Sequence, residues 1–433
     1  MGMLRFVSKR LVPLVALVVT GFAVACNGVE EDLGTTAPGP SPSGTPAAMR
    51  TTTPTPAVVE TPLSPAQPVP LEEATVTDAG LHLVETTTGR LWHLEGSAVW
   101  SPDGKRLVRW TCCPEQGGGL DVIEVPGGPA VRVFDGGVDT AAWSPNGTQI
   151  AFSQWGEGPE GVYVVNSDGS ALRQLSPRGT HAVEWSPTGD RLAFSRDEHI
   201  YILHVPSGEV TDVAQRAHDF AYFAWSPDGT TLAFTNDSGL YIYDPDTGDR
   251  RQVAAGPSDG PILWSPDGSR IAFRFGPRVA PAYGLYANDP EGGAPIFHVA
   301  EVQGVTEPKP LLPARDPSWS PDGTKIAFLG DGCITGNWDI YTVAPDGSSA
   351  ESLTAMPEGA KEGPYWSPTG ATIAFSTFGE LILLDAESGE LRTLVVSGWP
   401  ETAGRDIHLH GPVWSPDGRY IQFTAGTAHG ICD

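Results

Sequence analysis

The chain has 433 residues, 40% hydrophobic and 18% charged, with 52 Gly, 41 Pro and 13 Trp, a composition of many turns joining short aromatic strands, with few long helices. Asp plus Glu number 52 against 26 Lys plus Arg, a formal net charge of -26, which repels phosphate backbones and anionic headgroups and excludes nucleic-acid binding. Length excludes a disulfide miniprotein, and the presence of one long apolar run excludes a polytopic membrane protein.

The first element, residues 1–25, is read as a signal peptide. Arg5, Lys9 and Arg10 precede an apolar stretch from Leu11 to Ala25, which has the charged and apolar regions of an export signal and is short for a membrane span. The stretch ends Ala23-Val24-Ala25-Cys26. This ending resembles a bacterial lipoprotein signal, although Ala23 stands where that family usually has Leu; the resemblance implies lipidation of Cys26 and an extracytoplasmic chain anchored to a bacterial cell membrane. The alternative is an ordinary secreted protein cut at the Ala-x-Ala site. Residues 26–75 form a Pro, Thr and Ser-rich segment, as in GTTAPGPSPSGTP, that cannot bury enough apolar area to offset its ordering entropy, and it is read as a disordered tether.

Residues 76–433 are organised by one repeated unit. A pentad begins at Trp100, Trp143, Trp185, Trp225, Trp264, Trp319, Trp366 and Trp414, and the copies, such as WSPDGTKIAF, stand 39 to 55 residues apart, the length of a four-stranded propeller blade. Pro presets the first central position of a turn, Asp suits the next, and Gly takes the left-handed conformation that closes a bulged hairpin. The strand before the turn, the Ile-Ala-Phe strand after it, a later alternating strand such as VYVVN, and a fourth beyond a turn such as SDGS make four strands per repeat. The repeated Trp and Phe are read as core between sheets. LHLVETTTGRLWHL, Leu81 to Leu94, has a third and fourth strand without a first two, whereas the unit begun at Trp414 stops after its second. Together they predict an all-β, eight-bladed β-propeller of four-stranded antiparallel blades, closed by N- and C-terminal segments sharing one blade.

The pentad followed by Ile-Ala-Phe, and above all GNWDIYTVAPDG from Gly336 to Gly347, resembles the propeller repeat of the TolB family and its relatives. That resemblance covers about residues 80–433. It implies the fold strongly and the function weakly, because such propellers serve as binding scaffolds, as peptidase accessory domains and as enzymes. TolB itself has six blades and an additional N-terminal domain, which sets this chain apart from a direct TolB role.

Besides Cys26, Cys112, Cys113, Cys333 and Cys432 follow the second strand of their repeats, on one rim, and are disulfide candidates in an exported protein. Abutting blades favour Cys432 with Cys112 or Cys113, and a vicinal Cys112–Cys113 bridge is the alternative. The position four residues before each Trp holds Gly96, Asp139, His181, Ala221, Gly260, Arg315, Glu362 and His410. Loops at the channel mouth, where the repeats stop agreeing, are where binding is expected. The candidate binding rim is therefore Asp139, His181, Arg315, Glu362, His408 and His410, with Trp155 and Trp399 as aromatic anchors outside the core pattern. A metal reading would use His408 and His410 with His181 or His429.

These features predict a lipid-anchored, monomeric, non-catalytic protein without cofactor or metal that binds a protein or a cell-envelope polymer at the channel mouth and meets the membrane only through its anchor. The alternative is an envelope enzyme, such as a metal-assisted polysaccharide lyase or hydrolase centred on His408 and His410.

Overall fold

The computed structural model describes residues 80–111, 118–154, 159–177, 182–196, 199–215, 222–236, 238–256, 260–275, 284–291, 297–298, 314–331, 338–354, 362–377, 380–394 and 407–427. Their strands form eight four-stranded antiparallel sheets, the blades of a closed β-propeller. Blades 1 to 7 begin at the strands that end in Trp100, Trp143, Trp185, Trp225, Trp264, Trp319 and Trp366. Blade 8 is the composite: Ile407–Trp414 and Tyr420–Thr427 are continued by Gly80–Glu85 and Leu91–Leu94. Leu81 pairs with Thr424 and Val84 with Ile421, so the two ends of the chain are stitched by a full strand ladder.

Within each repeat the turn chemistry is visible. In blade 1 the Ser101 hydroxyl donates to Asp103 Oδ1 at 2.6 Å, and the same oxygen accepts the Lys105 amide at 3.1 Å. Gly104 has φ of 69°, a backbone state that glycine alone enters without strain. The same hydroxyl-to-Asp bond closes the turns of blades 4, 5, 6 and 8.

Burial runs across the gaps between blades. Eight apolar clusters each join one blade to the next, from Val108 and Leu120 against Trp143 and Phe152 round to Leu83 and Tyr420 against Trp100 and Ile123, which closes the ring. Phe152, Phe194, Phe234, Phe273, Phe328, Phe375 and Phe423 are all fully buried. In blades 2 to 7 the small Ala between the Phe and its preceding aliphatic residue faces the opposite gap, as with Ala151, which packs in the cluster of blades 2 and 3 while Phe152 packs in that of blades 1 and 2. The pentad Trp adds direction. The indole N–H groups of Trp143, Trp185, Trp264, Trp319 and Trp414 donate, at 3.0 to 3.2 Å, to the carbonyl immediately before the Trp of the preceding blade.

Every innermost strand runs toward its pentad turn, so the antiparallel order sorts the connections between two ends. Pentad turns and third-to-fourth-strand turns gather at one, the turn end. Second-to-third-strand loops and blade-to-blade crossings gather at the other, the loop end. The sequence expectation that each innermost strand starts four residues before its Trp holds in blade 2 and in blades 6 to 8 only in part: the strands of blades 3, 4 and 5 start at Val183, Phe223 and Leu263, so their pairing spans only the last two or three residues.

Candidate functional site

The innermost strands of blades 2, 6, 7 and 8 start four or more residues before their Trp, and each carries a bulge; those of blades 6, 7 and 8 stand side by side. The strands Ala314–Trp319, Glu362–Trp366 and Ile407–Trp414 shift register at Arg315/Ser318, Glu362/Tyr365 and His410/Val413. A bulge bends its strand and re-aims its side chains. The residue three before the Trp carries the positive φ in all three: 49° at Asp316, 102° at Gly363 and 55° at Gly411. Two blades use glycine there, and one uses an aspartate.

The bulges bring a polar group together. Glu362 Oε1 lies 2.6 Å from His410 Nδ1, and Glu362 Oε2 accepts the Gly411 amide at 3.0 Å, so blade 7 is clasped to blade 8 at the rim. Beside it stands Asp316, whose carboxyl burial pushes up to about 6; the charge of Glu362 adds to that, and Arg274 and Arg315 oppose it. Tyr365 is deep in the same place, its phenol driven far above its usual range by burial and then by the charges of Asp316 and Glu362. Arg315 is stacked 4.6 Å over the Trp338 ring. Arg274 lies along Gly260, where an added Cβ would come 2.7 Å from its Nε.

A second perturbed carboxyl lies in blade 3. Glu184 stands immediately before Trp185 and reaches the gap to blade 4, where it accepts the Trp225 amide at 3.3 Å. Burial pushes it up to about 8, against that one hydrogen bond. By surface area it is only half-buried. Depth within the ring governs its titration.

Of the rim residues expected from sequence, the structure brings Glu362 and His410 into contact and sets Arg315 next to them. Asp139 is in blade 2, four blades from Arg315, with its carbonyl accepting the Trp110 indole at 3.2 Å. The backbone of His408 pairs with Gly426. Its side chain, together with Trp155, His181, Trp399 and His429, lies outside the described residues, as do Cys26, Cys112, Cys113, Cys333 and Cys432. Among the described residues, no three His, Cys, Asp or Glu are grouped for a metal ion. Asp316, Tyr365, Arg274 and Glu184 were not expected from sequence. A signal for three of them exists in the aligned repeats. The residue before each Trp is Val99, Ala142, Ala224, Leu263, Ser318 or Val413, against Glu184 and Tyr365, and the residue three before the Trp is Gly in blades 7 and 8, against Asp316.

Residues 91–278 match the family described as TolB beta propeller domain. In sequence the chain is similar to an uncharacterized peptidase, YuxL, of Bacillus subtilis, at 27% identity over 154 residues, 26% of this chain and 22% of that protein. It is also similar to a TolB homolog of Chlorobium luteolum, at 30% identity over 135 residues, 30% of this chain and 27% of that protein. The matched stretch thus spans about a quarter of the length of these curated relatives. Among solved structures it is similar to dipeptidyl peptidase 4 of Porphyromonas gingivalis, with 13% identity and a TM-score of 0.56 over 78% of this chain and 58% of that one, a likeness of fold alone. Residues 91–278 thus carry a TolB-like propeller domain, and the eight WSPDG-type blades of the closed ring resemble that family's repeat throughout.

Proposed function

We propose that the protein is an extracytoplasmic, lipid-anchored propeller that works as a non-catalytic binding or scaffold protein, taking a protein or cell-envelope polymer at its loop end. Cys26 would carry the anchor, and residues 26–75 would hold the ring away from the membrane. The observation that carries the reading is the asymmetry of the ring: the turn end repeats one motif, whereas toward the loop end the innermost strands of blades 2, 6, 7 and 8 bulge, and blades 7 and 8 bring Glu362 and His410 together at 2.6 Å. Departure from a repeat at one face is where a propeller scaffold holds its specificity. The envelope-enzyme reading draws on one observation, the neighbouring carboxyls Asp316 and Glu362, of which the first is pushed up toward neutrality, as a general acid requires.

Native mass spectrometry of the protein extracted gently from its own membranes tests both readings and reports the anchor. The expected result is a chain that begins at Cys26, bears acyl mass, and carries a second polypeptide or envelope fragment but no metal. A stoichiometric metal lost on replacing His408 and His410 with Ala would overturn the scaffold reading in favour of the enzyme. A chain whose membrane attachment survives Cys26→Ala would remove the anchor.

A further inference from the structure

We propose that the cavity between blades 4 and 5 at the turn end is a binding site for a guanidinium group, stacked on the ring of Trp264. The inference goes beyond the loop-end reading and does not rest on it.

The repeats themselves show what this cavity lacks. In blade 1 the sixth residue after the pentad Trp is Arg106, and it crosses to blade 2. Its guanidinium carbon stands 4.8 Å over the Trp143 ring, and its nitrogens donate to the Gly147 carbonyl at 2.8 Å and the Ser167 hydroxyl at 3.2 Å. In blade 3 the same position is Arg191, which crosses to blade 4 and pairs with Asp246. The indoles of the receiving blades, Trp143 and Trp225, are only 7% and 4% exposed. Blade 4 has Thr231 at this position, too short to make the crossing. Trp264 of blade 5 is left half-buried, and beside it opens a cavity of about 170 Å³ whose lining includes Asp228, Thr231, Arg251, Trp264, Asp267 and Glu291. A volume of about 150 Å³ already admits a benzene ring, so a guanidinium fits.

A short residue alone does not leave such a space. Blade 7 has Thr372 at the same position, and there Arg392 of the outermost strand crosses to the Thr86 carbonyl of blade 8 at 3.2 Å. Arg251 is the counterpart of Arg392 in blade 4. Glu291 holds it at 2.9 Å, and among the described residues no cation stands over the Trp264 ring. The Nε of Arg251 is buried without a partner, a donor left for a carbonyl oxygen or a water that accompanies the ligand.

The lining fixes the ligand class. With Arg251 and Glu291 paired, Asp228 and Asp267 leave the cavity negative, and neither is ion-paired to a described residue. A carboxylate or phosphate ligand is repelled. A guanidinium is planar, stacks on an indole face and donates in its own plane to carbonyl and carboxylate oxygens. The acceptors stand in matching places: Gly268 is the counterpart of Gly147, and Glu291 that of Asp246. An ammonium has the charge without the plane, so an arginine is preferred to a lysine.

The test is a ligand-observed NMR titration of the full chain with Nα-acetyl-arginine N-methylamide, in the range of about millimolar expected for a single contact group. The citrulline analogue is the charge control, the lysine analogue is the shape control, and free arginine separates the amino acid from a peptide-borne side chain. Thr231→Arg supplies the residue that blades 1 and 3 already carry, and it should fill the cavity while melting no lower than the parent. Asp228→Asn combined with Asp267→Asn removes the charge and keeps the turns, because Asn146 takes that role in blade 2, accepting the Ser144 hydroxyl at 2.8 Å and the Thr148 amide at 3.0 Å. Saturable arginine-probe binding, at least tenfold weaker for citrulline, for lysine and in both variants, supports the proposal. Binding of free arginine alone, lost in the same variants, supports the same site with the amino acid as its ligand. Equal binding of arginine and citrulline, equal binding of arginine and lysine, no binding of either form of arginine, or binding undiminished in a folded Thr231→Arg chain overturns it. If Thr231→Arg melts below the parent, the double Asn variant decides by the same tenfold criterion.

Discussion

The two ends of the ring are made from the same strands and treat their carboxyls in opposite ways. At the turn end, hydroxyl and amide donors surround each aspartate. The Ser265 hydroxyl, followed by the Ser269 amide, holds Asp267 below the usual carboxylate range, and in Asp103, Asp228 and Asp322 burial opposes the same donors and loses. Elsewhere on the innermost strands, Asp316 and Glu184 have few or no donors, and burial pushes both up. A carboxylate that is solvated by its own turn strengthens the fold, whereas one that is stripped of donors weakens it and waits for something to bind. In the proposed reading, structure belongs to one end of the propeller, the cavity beside Trp264 apart, and recognition to the other.

The largest expected effect comes from breaking the frame that both ends share. Trp185 is buried between blades 2 and 3, packs with Phe194 and Val164, and donates its indole N–H to the Ala142 carbonyl at 3.2 Å. Trp185→Ala should cost about 3 to 5 kcal/mol, read as a shift of the urea midpoint, and it should loosen the turn end and the loop end together, as shown by hydrogen exchange of both. A loss under about 1 kcal/mol, or exchange confined to one end, would mean that the blades are not held as one ring.

A smaller and more selective change separates the ends by pH. Glu184 is pushed up to about 8, so the folded state binds its proton more tightly than the unfolded chain does. The stability tied to that proton is fully present below about pH 4.5 and is lost as pH rises through 8. Glu184→Gln keeps the shape and the acceptor for the Trp225 amide without the titration. It should match the parent at pH 4 and exceed it at pH 9 by on the order of 2 kcal/mol, discounted because the side chain is only half-buried. Thermal unfolding of both proteins across that window decides it, and a constant difference at all pH values would show that Glu184 does not titrate as its burial requires.

What could be seen in the sequence divides along the same line. Ser-Pro-Asp-Gly closes a hairpin through contacts within five residues, so eight copies announced eight hairpins, and the unmatched halves at Leu81–Leu94 and after Trp414 announced the composite blade, where Gly80–Glu85 indeed pairs with Tyr420–Thr427. The perturbed carboxyl in blade 3 and the rim pair depend on contacts across blade gaps, Glu184 with Trp225 and Glu362 with His410, some 40 to 50 residues apart. The rim pair depends also on bulges that one-dimensional spacing does not reveal. Reading the column four before each Trp found Glu362 and His410. Asp316 stands in the next column and Tyr365 two beyond it, where Asp316 corresponds to Gly363 and Gly411 of the next two blades and Tyr365 stands where most blades have a smaller residue. The repeats carried that signal, but its meaning required knowing that the strands bulge there.

The smallest effect belongs to the turn end, and its sign is the reverse of that at Glu184. Asp267 Oδ1 accepts the Ser265 hydroxyl at 2.6 Å, the Ser269 amide at 3.0 Å and the Ser269 hydroxyl at 2.8 Å. Its folded value lies below the unfolded one, so its contribution is present above about pH 4 and is lost as pH falls through the folded value. Asp267→Ala should cost about 0.5 to 1 kcal/mol at pH 7, because the turn is solvent-exposed and water replaces part of what is lost, and should cost nothing measurable at pH 2. Asp267→Asn retains one acceptor oxygen without the charge and should recover most of the loss, since the hydrogen bonds, not a distant cation, hold Asp267 down. Recovery by Asn would show that hydrogen-bond acceptance, not charge, is what the carboxylate of Asp267 supplies to its turn, in contrast to Glu184, where the charge itself is what the fold resists.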